Sequence, residues 1–386
     1  MTGRAGVGRV VVIGGGTSCE HEVSLASAAG VARALTSIGY AVESLTIDRR
    51  GTWRTADGRA LGLAEAVAAL QACDVAVPML HGIGGEDGTL AALCELAGVP
   101  YVGSGVRAGA LAMDKWATKL VAEATGVRTA AGALVRRGDP RQVADLLVAD
   151  LPMVVKPVSA GSSHGVALAR TPEQLVTALE AAFALDDRAL VEEVIVGREI
   201  DVAVLGRPDG TRMVAPALEI LTPASGIFDL ATKYDGSARF LVPAPLPEAR
   251  RKDLEEAAIA IYDALGCAGV ARIDFFLTDA GPVLNEVNTT PGFTEHSQVP
   301  RMFAAAGIGY ADLLDLLVTD ARSARSTTAL AQPAAALAEP AAALAEPAPV
   351  MAKPATAIAD PPTVTAGPAT APAGPATAMA EAAKVT

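Results

Sequence analysis

Cysteine is scarce in this 386-residue sequence, which has four: Cys19, Cys73, Cys94 and Cys267. They are scattered and form no Cys-x-x-Cys pair, which argues against a disulfide framework or a thiolate zinc site. They read as reduced residues of a cytoplasmic protein. Long apolar runs are missing too. No stretch approaches ~20 uninterrupted apolar residues, so no membrane span is expected. The opening Met-Thr-Gly-Arg-Ala-Gly leads into a short strand and lacks the apolar region of a signal peptide. Basic charge is in short supply: the formal net charge is −12 and charged residues make up 19%. No basic footprint for nucleic acid follows from that balance. A phosphorylated ligand is not excluded, because local lysines and a divalent cation can neutralise it. What is present is ample apolar content for two or three compact units.

The most informative stretch runs from Arg272 to Pro300. Arg272–Leu277 and Val283–Asn288 read as two strands joined by a Thr-Asp-Ala-Gly-Pro turn. Alternation puts Arg272, Asp274 and Phe276 on one face of the first strand, and Leu284, Glu286 and Asn288 on one face of the second. Folding the hairpin about Ala280 sets Asp274 opposite Glu286. Two carboxylates directly opposed on one face repel. A divalent cation removes the conflict, with Asp274, Glu286 and the Asn288 carbonyl as hard oxygen ligands suited to Mg²⁺. A solvated sheet face with chance acids is the plainer alternative. Arg272 two residues from one carboxylate, and Pro-Gly shortly after the Asn, favour a phosphoryl-transfer centre.

Upstream, Arg9–Ile13 reads as a buried strand. A Gly14-Gly15-Gly16-Thr17-Ser18 turn and a helical pattern from Val23 to Leu35 come next, the opening of a doubly wound α/β unit. At that junction stand Glu20, His21 and Glu22. Capping a helix N-terminus explains at least one acid; the other reading makes a carboxylate the receptor for a substrate ammonium. Strands are expected at Ala41–Ile47 and Val75–Met79, with a helix at Ala60–Ala72. The glycine-rich His81–Gly88 is then a loop at a carboxyl edge, where such folds bind ligands. His81 is there either a satisfied structural histidine or a ligand-facing group.

A second unit is expected from about residue 108, opening with a helix around Met113–Lys119. Leu151–Pro157 is a strand ending in Lys156, and Val158–Gly165 is a mobile loop whose backbone N–H groups suit phosphate oxygens, with Lys156 beside it as a cation. Glu192 and Glu199 flank a turn between two strands, as surface acids or as contacts for an adenine amine and a ribose hydroxyl. Leu221–Tyr234 is a long connection of the kind that forms functional lids. Leu246–Leu265 is an amphipathic helix and Tyr310–Val318 a last one. Residues 321–386 hold ten of the 25 prolines, no aromatic residue, and imperfect Ala-Leu-Ala-Glu-Pro repeats. Such composition cannot bury a core and predicts a disordered tail.

Taken together, Gly-Gly-Thr-Ser-Cys-Glu-His-Glu-Val-Ser, Leu-His-Gly-Ile-Gly-Gly-Glu-Asp-Gly, Met-Asp-Lys, Val-Lys-Pro followed by Gly-Ser-Ser-His-Gly, Lys-Tyr, Arg-Ile-Asp and Asn-Glu-Val-Asn-Thr-Thr-Pro-Gly-Phe-Thr occur in order over about residues 9–318. This set resembles the D-alanine–D-alanine ligases of the ATP-grasp superfamily. The resemblance implies an α/β and α+β chain. An N-terminal doubly wound domain (1–107) would precede two ATP-grasp α+β domains (108–200 and 201–320) and the tail (321–386). It implies ATP-driven joining of two D-alanines through an acyl phosphate, for peptidoglycan precursors, in a cytoplasmic homodimer. It implies ATP and two Mg²⁺, or Mn²⁺, on Asp274, Glu286 and Asn288. Glu20, Ser162, Tyr234, Arg272, the Gly292 N–H and Ser297 would form the catalytic and substrate set. Lys115, Lys156, Lys233, Glu192, the Ile195 backbone, Glu199 and Phe276 would hold the nucleotide.

Three positions depart from the family pattern. Ala160 stands where many members carry an acid, His164 where a small apolar residue is common, and Gln298 where Ser297 is usually followed by leucine. Gln298 is expected to point outward, leaving D-alanine preferred; if it faced the pocket, a polar acceptor such as D-serine would suit it. Readings from other classes are a dipeptide ligase with another second substrate and a catalytically silent ATP-binding module. The second sits poorly with three metal ligands, Arg272 and both lysines in one chain.

Overall fold

The computed structural model describes residues 8–139, 151–221 and 239–331, with side chains to residue 323. Most of the expected lid, with Lys233 and Tyr234, lies outside the described residues, as does everything beyond Ala331. The chain divides into two units, Met1–Ala334 and Ala335–Thr386, and every described element lies in the first.

The N-terminal part runs β1 (Arg9–Gly15), α1 (His21–Ser37), β2 (Ala41–Ile47), β3 (Trp53–Thr55), β4 (Ala60–Leu61), α2 (Leu63–Gln71), β5 (Val75–Pro78) and α3 (Thr89–Leu96). Its sheet has the order β4-β3-β2-β1-β5. Central β1 is parallel to both β2 and β5. Val10–Ile13 are at most 1% exposed, as expected of a strand covered on both faces. Gly15 has φ +91°, and a Cβ there would lie 2.2 Å from the Ile47 carbonyl oxygen, so only glycine makes the turn into α1. The expected helix at Ala60–Ala72 is shorter than anticipated. Its first two residues pair with β3, and Gly62 opens the helix with Glu65 accepting from its N–H at 2.9 Å.

The middle part runs α4 (Val106–Met113), α5 (Lys115–Ala124), β6 (Gly132–Arg136), β7 (Met153–Pro157), β8 (Ala167–Ala169), α6 (Pro172–Phe183) and β9 (Arg188–Glu193). Its four strands form an antiparallel sheet in the order β6-β9-β7-β8. Asp114 separates α4 from α5 and caps α5, accepting from Ala117 N–H at 2.9 Å. Ala108, Ala112, Ala122 and Val127 pack into the core of the third sheet, not that of this one.

The remainder runs β10 (Arg198–Gly206), β11 (Arg212–Val214), β12 (Leu218–Leu221), β13 (Arg239–Leu241), α7 (Glu248–Leu265), β14 (Gly269–Thr278), β15 (Gly281–Asn288), α8 (Gln298–Ala305) and α9 (Tyr310–Ala331). The sheet order is β13-β12-β10-β14-β15, with β11 on β10. Helix α7 ends at Gly266, whose φ of +75° suits a left-handed cap. Among the described residues no single helix is long and apolar enough to cross a membrane.

The last helix overruns its expected end at Val318 by more than three turns. The apolar stripe Leu313, Leu314, Leu317, Val318 continues through Ala321 onto the core, and the next proline is Pro333. Asp320 also pairs with Arg207 (Nη2 to Oδ1 3.0 Å). The expected tail boundary at 320/321 therefore falls inside a helix. A chain ended at Val318 should lose at least about 2 °C in Tm, because a half-buried ion pair and more than three helical turns go with it. A chain ended at Ala334 should melt like the full protein. Equal Tm for both truncations would contradict this packing.

Candidate active site

The hairpin β14–β15 carries the densest chemistry. Register pairs Arg272 with Asn288 and Asp274 with Glu286, as alternation predicts. The two-residue turn at Asp279-Ala280 closes on the Thr278–Gly281 pair. Beyond Asp274 the register shifts: Phe275 faces Leu284, so Asn285 is an inserted bulge residue. The shift corrects one expectation. Leu284 does not share a face with Glu286; it lies in the apolar core with Val287. The bulge instead lets Asn285 and Glu286, in succession, line the same cavity.

That cavity, about 540 Å³, is within the range of small-molecule sites. Eleven of the sixteen candidate site residues line it: Glu20, Lys115, Ser162, Glu199, Arg272, Asp274, Phe276, Glu286, Asn288, Gly292 and Ser297. Lys156, Glu192 and Ile195 are not among its lining residues. Lys233 and Tyr234 lie outside the described residues.

Arg272 organises the acids. Nε and Nη2 donate to the two oxygens of Asp274, both at 2.7 Å, a bidentate fork. Asp201 on β10, the cross-strand partner of Asp274, stands 3.6 Å from Nε. Burial disfavours the Arg272 charge, but Asp274, Asp201 and Glu286 outweigh it and hold the guanidinium protonated. Asn288 Nδ2 donates to Asp274 at 3.0 Å, and Lys115 Nζ lies 3.4 Å from Glu286. The carboxylate repulsion inferred from sequence is thus relieved by side-chain cations within the chain. Among the described residues no group of three or more His, Cys, Asp or Glu side chains could hold a metal. Two carboxylates and one amide fit an ion shared with phosphate oxygens, as Mg²⁺ sites usually are, and not a complete protein cage.

At the other end, Glu20 begins α1 without a side-chain cap. Its carboxylate instead accepts from Ser162 Oγ, while Glu22 pairs with Arg49 at the surface. Glu20 therefore makes no side-chain capping bond and lines the cavity. A Cβ on Gly161 would meet Glu20 Oε2 at 2.6 Å, so a side chain there would displace that carboxylate. Ser162 and Ser163 both hold positive φ, +50° and +59°, at roughly 1–2 kcal/mol each. At Ala160 it is the backbone that serves, its carbonyl accepting from Lys115 Nζ at 2.7 Å.

His81 proves both structural and cavity-lining. Nδ1 must donate to the Thr290 carbonyl (2.7 Å), so Nε2 is left to accept from Ser27 Oγ (3.2 Å). Burial lowers its pKa, which keeps that neutral tautomer. Glu86, also on the cavity wall, accepts from Gly82 and Thr290 N–H at 3.2 and 3.1 Å. Burial first, then Glu20, push its pKa up to about 7. Neither was a firm sequence candidate, because a glycine-rich loop does not reveal which side chains turn inward. Asp201 and Lys119 carried no sequence signal at all.

Lys156 and Glu192 belong to a buried triad beside the cavity. Glu192 accepts from Lys119 and Lys156, each at 2.6 Å. Burial raises the Glu192 pKa, but the two ammonium groups prevail and lower it. Gly292 is not demanded by packing, its nearest neighbour to a Cβ being Ser297 Oγ at 3.5 Å. Ser297 Oγ accepts from Thr294 N–H at 3.0 Å. Gln298 contradicts expectation. Its side chain turns inward, lines the cavity, and accepts from Arg272 Nη1 at 2.6 Å.

This three-sheet arrangement around a loop, two lysines and an acidic hairpin is the ATP-grasp fold, shared with solved ligases. The family model described as D-ala D-ala ligase C-terminus matches residues 128–319, and that described as D-ala D-ala ligase N-terminus matches 9–66 and 57–104. The chain belongs to the D-alanine–D-alanine ligase family, whose members are ATP-dependent carbon–nitrogen ligases. A D-alanine–D-alanine ligase of Frankia casuarinae is 40% identical, covering 80% of this chain and 95% of its own. Among solved structures, the VanG D-Ala:D-Ser ligase of Enterococcus faecalis is similar (TM-score 0.73, 33% identity, 82% of this chain and 100% of that one). So is the Bacillus anthracis D-alanine–D-alanine ligase complexed with ATP (TM-score 0.69, 28% identity, 83% and 100%).

The buried charges carry two testable consequences. Glu192→Gln should cost about 3 kcal/mol or more in urea unfolding, since two buried lysines lose their counter-charge. Because the Glu192 pKa is depressed, that contribution is present above the ordinary glutamate pKa and is lost as pH falls through the folded value. A cost below about 1 kcal/mol at pH 7 would contradict the triad. Glu86 has the opposite sign: its raised pKa favours the fold below 4.5 and that stability is lost as pH rises to about 7. The wild type should therefore lose roughly 2–3 kcal/mol relative to Glu86→Gln across that window. A stability difference independent of pH would rule out the buried proton.

Proposed function

We propose that this chain joins two D-alanine molecules into D-alanyl-D-alanine with conversion of ATP to ADP and phosphate, supplying peptidoglycan precursors in the cytoplasm. The observation that carries this proposal is the convergence, in one cavity, of an ammonium receptor (Glu20 with Ser162) and a phosphoryl-transfer set (Lys115, Arg272, Asp274, Glu286). The first D-alanine carboxylate attacks the γ-phosphorus of ATP, ADP departs, and an acyl phosphate forms. The amine of the second D-alanine then attacks the acyl carbon. A tetrahedral oxyanion forms, the amine loses a proton, and collapse expels phosphate.

Glu20, oriented by Ser162, holds the first ammonium, and Ser297 donates to the second carboxylate. Arg272 and the Gly292 N–H face the developing oxyanion, where fixed donors in a dry site are most effective. Lys115 and Lys156 offset phosphate charge, Lys156 meeting the bulge residue Asn285 at 3.4 Å. Glu192, the Ile195 backbone, Glu199 and Phe276 contact adenosine, with Glu199 and Phe276 paired across β10 and β14. Lys233, a nucleotide-holding candidate, and Tyr234, a catalytic one, lie outside the described residues. Asp274, Glu286 and Asn288 would hold two Mg²⁺ ions, or Mn²⁺, which would neutralise the phosphates and polarise the γ-phosphoryl group. We propose three domains, 1–107, 108–200 and 201–320, one for each sheet, with β10 crossing residue 200 and α9 running past 320. The proposed homodimer has apolar surface available at Leu63 and Leu96, 62% and 88% exposed.

ADP release should depend on D-amino acids and be greatest with D-alanine across a panel of D-amino and D-hydroxy acids. Release unaffected by any of them would leave only an ATP-binding module. Asp274→Asn and Glu286→Gln should each lower turnover at least a hundredfold, about 2.7 kcal/mol in barrier, at saturating Mg²⁺. Near-normal turnover in either variant would overturn the metal assignment.

A further inference from the structure

We infer that Gln298 is a positioning residue of the ligation step, acting by fixing the guanidinium of Arg272 over the cavity; this rests on the role proposed for Arg272. The chemistry of the contact is unambiguous. Arginine has donors and no acceptor, so the group 2.6 Å from Nη1 must be the amide oxygen of Gln298, and the orientation of the amide follows. Asp274 at 2.7 Å and Asp201 at 3.6 Å, the acids that meet the same guanidinium, both stand on strands of its own sheet. Gln298 is a neutral partner and comes from a helix.

Its place in the fold suits a brace. Ser297 is the N-cap of α8, so Gln298 opens the helix. The next residues, Val299, Pro300, Met302 and Phe303, are buried, and three of them seat α8 on the core. The Gln298 backbone is thereby fixed from one side of the cavity while β14 fixes Arg272 from the other. Asp274 alone leaves the planar guanidinium held along one edge. Gln298 holds the opposite end, and with both held the plane cannot swing. An apolar side chain at 298 would leave Nη1 without this acceptor. The carbonyl attacked in the second half-reaction meets a donor whose direction Gln298 has already set, and that preorganisation is what accelerates the step.

The test uses Gln298→Met, which keeps length and removes the acceptor, Gln298→Glu, which keeps an acceptor oxygen, and Arg272→Lys. Gln298→Met should lower kcat about tenfold, as expected for loss of a hydrogen bond to a charged group, with Tm and the KM for ATP unchanged. Gln298→Glu should retain kcat within about threefold. In an Arg272→Lys background Gln298→Met should add no further loss, because both act through one group. In ¹⁵N-arginine spectra, the slowly rotating Nη signals assigned to Arg272 by their absence in Arg272→Lys should disappear in Gln298→Met and return in Gln298→Glu. Full kcat in Gln298→Met, additive losses in the double variant, or unchanged Nη signals would overturn the inference while leaving Arg272 in place. Full kcat in Arg272→Lys would overturn the Arg272 assignment and this inference with it.

Discussion

The bidentate contact between Arg272 and Asp274 is the constraint on which the site depends. Asp274, Asp201 and Glu286 lie together at the floor of one cavity, with Glu20 and Glu86 on its walls. A low-dielectric pocket does not tolerate that density of negative charge without a fixed cation. Arg272 supplies it from within the same strand, because residues two apart on a strand share a face. Lys115, reaching in from the start of α5, performs the same service for Glu286. One acid holds its proton more tightly: burial first, then Glu20, push the Glu86 pKa up to about 7.

From that floor the remaining features build outward in layers. The hairpin bulge at Asn285 turns two successive polar residues inward, and Asn285 in turn meets Lys156, itself anchored by the buried Glu192. The three sheets contribute to the cavity from different directions: α1 and the His81–Gly88 loop from the first, the Ala160–Ser162 loop from the second, the hairpin and α8 from the third. The left-handed serines at 162 and 163 mark where the backbone accepts strain so that a hydroxyl reaches Glu20. A site assembled across three sheets suits a reaction with three substrates.

Much of this is legible in the sequence, and the failures are instructive. The strand, turn and helix at Arg9–Leu35 and the hairpin pairing of Asp274 with Glu286 follow from β-branched runs, glycines and period-two alternation. Strands β3 and β4 escape because three and two residues are too short to show a period. The overrun of α9 escapes because composition shifts at 321 while the helix continues to Ala331. Leu284 is misplaced because a bulge inserts a residue that alternation cannot see. Lys119, Asp201 and the inward turn of Gln298 depend on partners 73, 73 and 26 residues away, a distance at which local pattern carries no information.

The most direct measurement of the central claim follows oxygen. D-Alanine carrying ¹⁸O in its carboxylate is incubated with the enzyme, ATP and Mg²⁺, and the released phosphate is analysed by mass spectrometry. Attack of that carboxylate on the γ-phosphorus predicts one ¹⁸O in the phosphate for each dipeptide formed. Phosphate free of the label, with dipeptide still accumulating, would contradict the acyl phosphate and the roles assigned to Arg272 and its acidic partners.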